Sequence, residues 1–135
     1  MRHKSIVVVL TFFLALFAAP ALRAQGKSGP APAAKTEVLQ FHLEHRCATC
    51  LKIEKLTRAT LASYFKDVPF TLVNVEKKEN GKMAEQFGVY GTALFLYNPA
   101  TGKKNNLTEL AFLKVGNEAM FTAELKKQVE EFLKG

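Results

Sequence analysis

The chain's two cysteines, Cys47 and Cys50, stand three apart in the stretch "FHLEHRCATCLKIEK", Phe41 to Lys55, with His42 and His45 just ahead of them. Thiols at this spacing can exchange electrons with another disulfide, close an inert loop, or hold a metal. The residues before the pair read as a strand and those from Ala48 onward as a helix, so Cys47 is expected at a helix N-terminus. Unpaired backbone N–H groups and the helix dipole favour an anion there. The thiolate is the reactive form of cysteine, and such a setting lowers a thiol from about 8.5 into the range ~3.5–7.5. Arg46 is adjacent, and His45, when protonated, adds to the effect. Cys50, one helical turn on, is placed to attack a mixed disulfide formed at Cys47. The expected roles are therefore nucleophile for Cys47 and resolving thiol for Cys50. An inert structural disulfide is the competing reading, but a loop this small stabilises least in the chain-entropy account.

A second reading of the same stretch is a metal site. His42, His45, Cys47 and Cys50 make H-x2-H-x-C-x2-C, a donor set that suits zinc or copper. His45, Cys47 and Cys50 are its most plausible ligands, because His42 falls within the expected strand and its side chain can point away from the thiols. A solvent-exposed histidine near a functional loop is the plain alternative for each. The redox reading is preferred, with no cofactor.

The elements that must position the pair follow from periodicity. "TEVLQFHL" reads as a strand with Val38, Leu39 and Phe41 buried. Leu51, Ile53, Leu56, Leu61 and Phe65 then recur at helical spacing, and this helix should end near Lys66-Asp67, before Pro69. "PFTLVNVE" is a second strand over Phe70 to Val75. "KMAEQFGV" is a short helix stopped by Gly88. "TALFLYN", Thr92 to Asn98, is a third strand, and Pro99 and Gly102 mark a hairpin turn. The stretch 107–114 fits a strand or a helix; the reading adopted is a short strand at Lys103–Asn105 and a helix from Leu107, with Asn106 and Glu109 spaced like a capping box. "NEAMFTAELKKQVEEFLK" is a helix with Phe121, Leu125, Val129, Phe132 and Leu133 on one side. The opening strand–helix–strand unit calls for a parallel pair, and the hairpin adds an antiparallel strand. The fold class expected is α/β, a central mixed sheet flanked by helices.

The chain is 135 residues long, enough for one domain but not two. Arg2, His3 and Lys4 precede the uncharged run "SIVVVLTFFLALFAA", which Pro20 and small residues close, the layout of a secretory signal peptide. Residues 1–24 are read as that signal, cleaved after Ala24, with Ala21 the alternative. The run is shorter than the ~20 residues a membrane span needs, so no span is expected after cleavage. Residues 25–35, rich in Gly, Pro, Ala and Ser, are read as a flexible spacer, and 36–135 as the domain. The destination is the periplasm or another exported location, where disulfides persist. Removing Arg2, Lys4 and Arg23 brings the formal charge from +7 to +4. The remaining lysines are scattered, which gives nucleic-acid binding no support. The expected partner is a protein thiol or disulfide, met by a monomer.

From Thr36 to Lys134 the chain resembles the thioredoxin superfamily. "RCATCLKIE" is similar to the R-C-x-T-C-x-K-I-E stretch of small exported bacterial thioredoxin-like proteins, carried here by Arg46, Cys47, Thr49, Cys50, Lys52, Ile53 and Glu54. The resemblance implies a thioredoxin-like fold and thiol–disulfide oxidoreductase chemistry, with Arg46, His45, Thr49 and Ala93 supporting the cysteines. Four positions depart from ordinary thioredoxin. Arg46 stands where a tryptophan precedes the first cysteine, and Ala93 where a cis-proline faces the disulfide. Phe41 takes the place of the buried aspartate, and Asn74 that of its lysine partner. Without that pair, Glu76, His42 or His45 is left to take the proton of the resolving cysteine. A specific partner is expected rather than general reductase activity. Thiolate stabilisation by the helix and Arg46 favours a potential more oxidising than thioredoxin's, within the ~−270 to −120 mV spanned by dithiol proteins.

Overall fold

Alternation along the first strand decides the layering. The computed structural model describes residues 36–135, so the signal-peptide and spacer expectations lie outside them. β1, Glu37–His42, buries four consecutive residues. Successive side chains on a strand point to opposite faces, so Val38 and Gln40 take one face and Leu39 and Phe41 the other. A strand buried on both faces must lie inside a sheet with helices on each side. β2, Phe70–Asn74, pairs with β1 in parallel, and β3, Ala93–Asn98, pairs with it antiparallel. β4, Lys103–Asn106, closes the order β2-β1-β3-β4. This mixed four-stranded sheet with four helices is a thioredoxin-like α/β fold.

On one face Val38, Leu94 and Leu96 meet three helices: α1, Ala48–Tyr64; α3, Thr108–Lys114; and α4, Glu118–Lys134. On the other face Leu39, Phe41, Val73 and Phe95 meet α2, Gly81–Phe87. Aromatic rings carry that second core: Phe41 lies 5.1 Å from Phe87 and 5.8 Å from Phe95, centroid to centroid. A single 3-10 turn at Lys78–Asn80 leads into α2.

The local signals act where the sequence places them. Gly88 ends α2 in the left-handed region, φ +66°, a conformation that costs glycine little. Its N–H donates to the Glu85 carbonyl, and the Val89 N–H to that of Ala84. Gly102, φ +73°, closes the β3–β4 hairpin, its N–H donating to the Asn98 carbonyl at 2.8 Å.

Residues 107–114 follow the helical reading. The Asn106 side chain accepts from the Thr108 N–H, and the Thr108 hydroxyl accepts from the Leu94 N–H, which pins the start of α3 to β3. α1 ends at Tyr64, earlier than the expected Lys66-Asp67, because Phe65 leaves helical geometry and the Val68 N–H turns back to its carbonyl. Leu51 and Leu133, expected in the core, are each 48% exposed. Thr57 and Thr60 take buried α1 positions instead, and apolar spacing alone does not flag threonine.

Candidate functional site

The site is built at the C-terminal end of β1, where the chain crosses a short loop into α1. Cys47 is the N-cap residue of α1, with extended backbone, and its Sγ accepts the Cys50 N–H at 3.1 Å. This is the place that serine or aspartate fills in most helices, satisfying one of the free N–H groups of the first turn. The first turn holds no acidic residue, so no carboxylate competes for the dipole. Cys47 and Cys50 are joined as a disulfide, Cα atoms 5.2 Å apart. Cys47 is exposed, whereas Cys50 is 4% exposed and faces the sheet. Thr49, between them, is exposed.

Arg46 does not present its charge freely to the sulfurs. Its guanidinium pairs with Glu54 at 2.5 Å, and Glu54 also accepts from Arg58 at 2.9 Å. Burial works against the Glu54 carboxylate, but hydrogen bonds from Arg58 and Arg46 outweigh it and hold its pKa below the ordinary value. The two ends of the "RCATCLKIE" motif are thus one ion pair that fastens the loop carrying Cys47 to the second turn of α1. Lys52, also in the motif, reaches Glu118 of α4 at 3.5 Å.

The same loop is held from the side of β2. Asn74 donates from its side-chain amide to the Glu44 carboxylate, and Glu76 accepts the Glu44 N–H at 2.5 Å. The Glu76 N–H in turn donates to Asn74 Oδ1 at 3.0 Å. Asn74 therefore serves as a buried clamp on the loop. Glu76, considered from sequence as a proton acceptor for Cys50, has one of its oxygens committed to loop backbone.

His45 is exposed, and His42 is half-buried with Nδ1 2.8 Å from the Leu43 carbonyl. Among the described residues no three His, Cys, Asp or Glu side chains come together in an arrangement that could hold a metal ion. The set His45, Cys47 and Cys50 is not assembled.

Two residues that sequence reasoning missed touch Cys50. The Thr92 hydroxyl lies 3.3 Å from its Sγ. Ala93, the expected supporting position, is buried in the α2-side core, and the described peptide bonds are all trans. The residue at the sulfur is therefore its neighbour, on the opposite side of the strand's alternation. Gln40 is fully buried and donates from Nε2 to the Cys50 carbonyl at 2.9 Å. The resemblance sets Phe41 in the place of a buried aspartate on the strand before the site; Phe41 faces α2, and Gln40 is the side chain that lies under α1. The signal available in the sequence was a lone polar residue inside an apolar strand.

The chain matches no protein-family model and no curated protein at a significant level. The site's chemistry rests on its own geometry. An exposed cysteine at a helix N-cap, in disulfide contact with a buried cysteine that has a hydroxyl beside it, is an arrangement that can support thiol–disulfide exchange. No described helix is long and apolar enough to cross a membrane.

Proposed function

We propose that this protein is an exported thiol–disulfide oxidoreductase of the thioredoxin superfamily that serves a specific protein partner. The observation that carries the reading is the asymmetry of the pair: Cys47 exposed at the N-cap of α1, and Cys50 buried behind it. A client thiolate attacks Cys47 Sγ, forming a mixed disulfide and releasing Cys50 as a thiolate that takes up a proton. A second client thiolate then displaces Cys47, leaving the client oxidised and the protein as a dithiol. The reverse sequence reduces a client disulfide, with Cys47 attacking first and Cys50 resolving.

Stabilisation of the Cys47 thiolate comes chiefly from the N–H groups of α1. Arg46 adds less than its adjacency in sequence suggests, because Glu54 offsets its charge. Export is supported by the signal-like first 24 residues, and a disulfide persists in the compartment they point to.

The test is a pair of variants in the producing cell. Cys50→Ser should accumulate a mixed disulfide between Cys47 and the partner, separable by reduction and identifiable by mass spectrometry. Cys47→Ser should trap nothing and lose disulfide exchange. A parallel titration of the reduced protein with Zn²⁺ and Cu⁺ covers the metal alternative. Tight stoichiometric binding lost in His45→Ala, together with no reversible redox transition, would overturn the proposal.

A further inference from the structure

Gln40 is a costly residue to place where it is. Strand register sets it beside Leu72 of β2 and Leu94 of β3, and its face of the sheet is packed with Ile53, Leu56 and Leu94. Its amide orientation is fixed by chemistry, because the Cys50 carbonyl only accepts hydrogen bonds and so must face the NH2 group. Among the described residues Oε1 is thereby left buried with no donor. The Thr57 hydroxyl, at a buried position of α1 itself, is likewise without a partner among these residues. A buried acceptor without a donor destabilises whatever state contains it.

The state described is the disulfide. Reduction changes the inventory at this point in one way: Cys50 gains an S–H, a weak donor absent from the oxidised protein. The amide is tethered to the backbone of that same residue. We infer that Gln40 is a redox-state-dependent partner of Cys50, whose Oε1 accepts the S–H of the reduced thiol and loses its donor when the disulfide forms. This rests on the oxidoreductase reading above. When a client dithiol reduces the pair, two electrons and two protons pass to Cys47 and Cys50, and the client leaves as a disulfide. The proton that settles on Cys50 Sγ is the one whose hydrogen bond Gln40 Oε1 accepts. Gln40 therefore biases the equilibrium toward the dithiol and makes the disulfide more oxidising.

Gln40→Met keeps the length of the side chain and removes its polar atoms. Titrated against glutathione buffers, it should shift the dithiol–disulfide equilibrium toward the disulfide about three- to tenfold, or about 15–30 mV for a two-electron couple. The unfolding equilibria of oxidised and reduced forms provide a readout that a purely structural role leaves alone. Loss of the bond to the Cys50 carbonyl affects both forms equally, whereas loss of the acceptor shifts their relative stability toward the oxidised form by the same three- to tenfold. Should Gln40→Met fail to fold, the wild type carries the test through the side-chain carbonyl ¹³C resonance of Gln40. That resonance should move on reduction in the direction of a newly formed hydrogen bond. An equilibrium unchanged within twofold, or a carbonyl resonance indifferent to redox state, overturns the inference. A wild type with no reversible redox transition would instead overturn the functional reading beneath it.

Discussion

Thr92 offers the sharpest test of how the buried sulfur is handled. Its hydroxyl sits 3.3 Å from Cys50 Sγ, brought there by the turn that enters β3. Thr92→Val keeps the β-branched shape and removes the hydroxyl. A neutral hydrogen bond contributes about 1 kcal/mol net, and one to a charged group about 1.5–3 kcal/mol. In the proposed mechanism Cys50 becomes a thiolate to resolve a mixed disulfide, so the hydroxyl stabilises the attacking state more than the resting one, by about 1 kcal/mol. With tenfold in rate for each ~1.4 kcal/mol, loss of the hydroxyl should slow resolution about fivefold. The measurement is rapid-quench release of glutathione from protein carrying a glutathione mixed disulfide on Cys47. Thr92→Ser, which keeps the hydroxyl, should recover most of the rate. If Thr92→Val resolves within twofold of wild type while remaining folded, Thr92 has no part in the chemistry.

Two further outcomes concern the scaffold. Glu54→Gln leaves Arg46, 19% exposed, without its carboxylate partner and should lower stability at neutral pH by about 1–3 kcal/mol. Because the Glu54 pKa is held below its ordinary 4.5 in the folded state, the stability it supplies is present above that value and fades as pH falls through the folded pKa. Denaturation curves of wild type and Glu54→Gln should therefore converge in acid, and a gap that is constant with pH would refute the ion-pair account. Phe41→Ala removes the ring that touches both Phe87 and Phe95, and should cost about 3–5 kcal/mol in urea unfolding.

The local setting of the two cysteines was legible along the chain. A strand run ending shortly before a helical period places Cys47 at a helix start, and the C-x2-C spacing puts Cys50 one turn further, because helix geometry is fixed within a few residues. Gly88 and Gly102 mark their turns for the same reason: a left-handed backbone suits glycine wherever it occurs. What the folded chain decided is which side chains surround those sulfurs. Thr92 is 42 residues from Cys50, and the Glu44 contacts to Asn74 and Glu76 span 30 and 32 residues. No spacing rule covers such separations. The difference between Gln40 and Phe41, or Thr92 and Ala93, is a single step of strand alternation, and that step sends one side chain under α1 and its neighbour into the aromatic core beneath α2. A one-residue offset in an ungapped comparison exchanges the two faces, so only the register of β1 and β3 in the sheet could say which residues Cys50 meets.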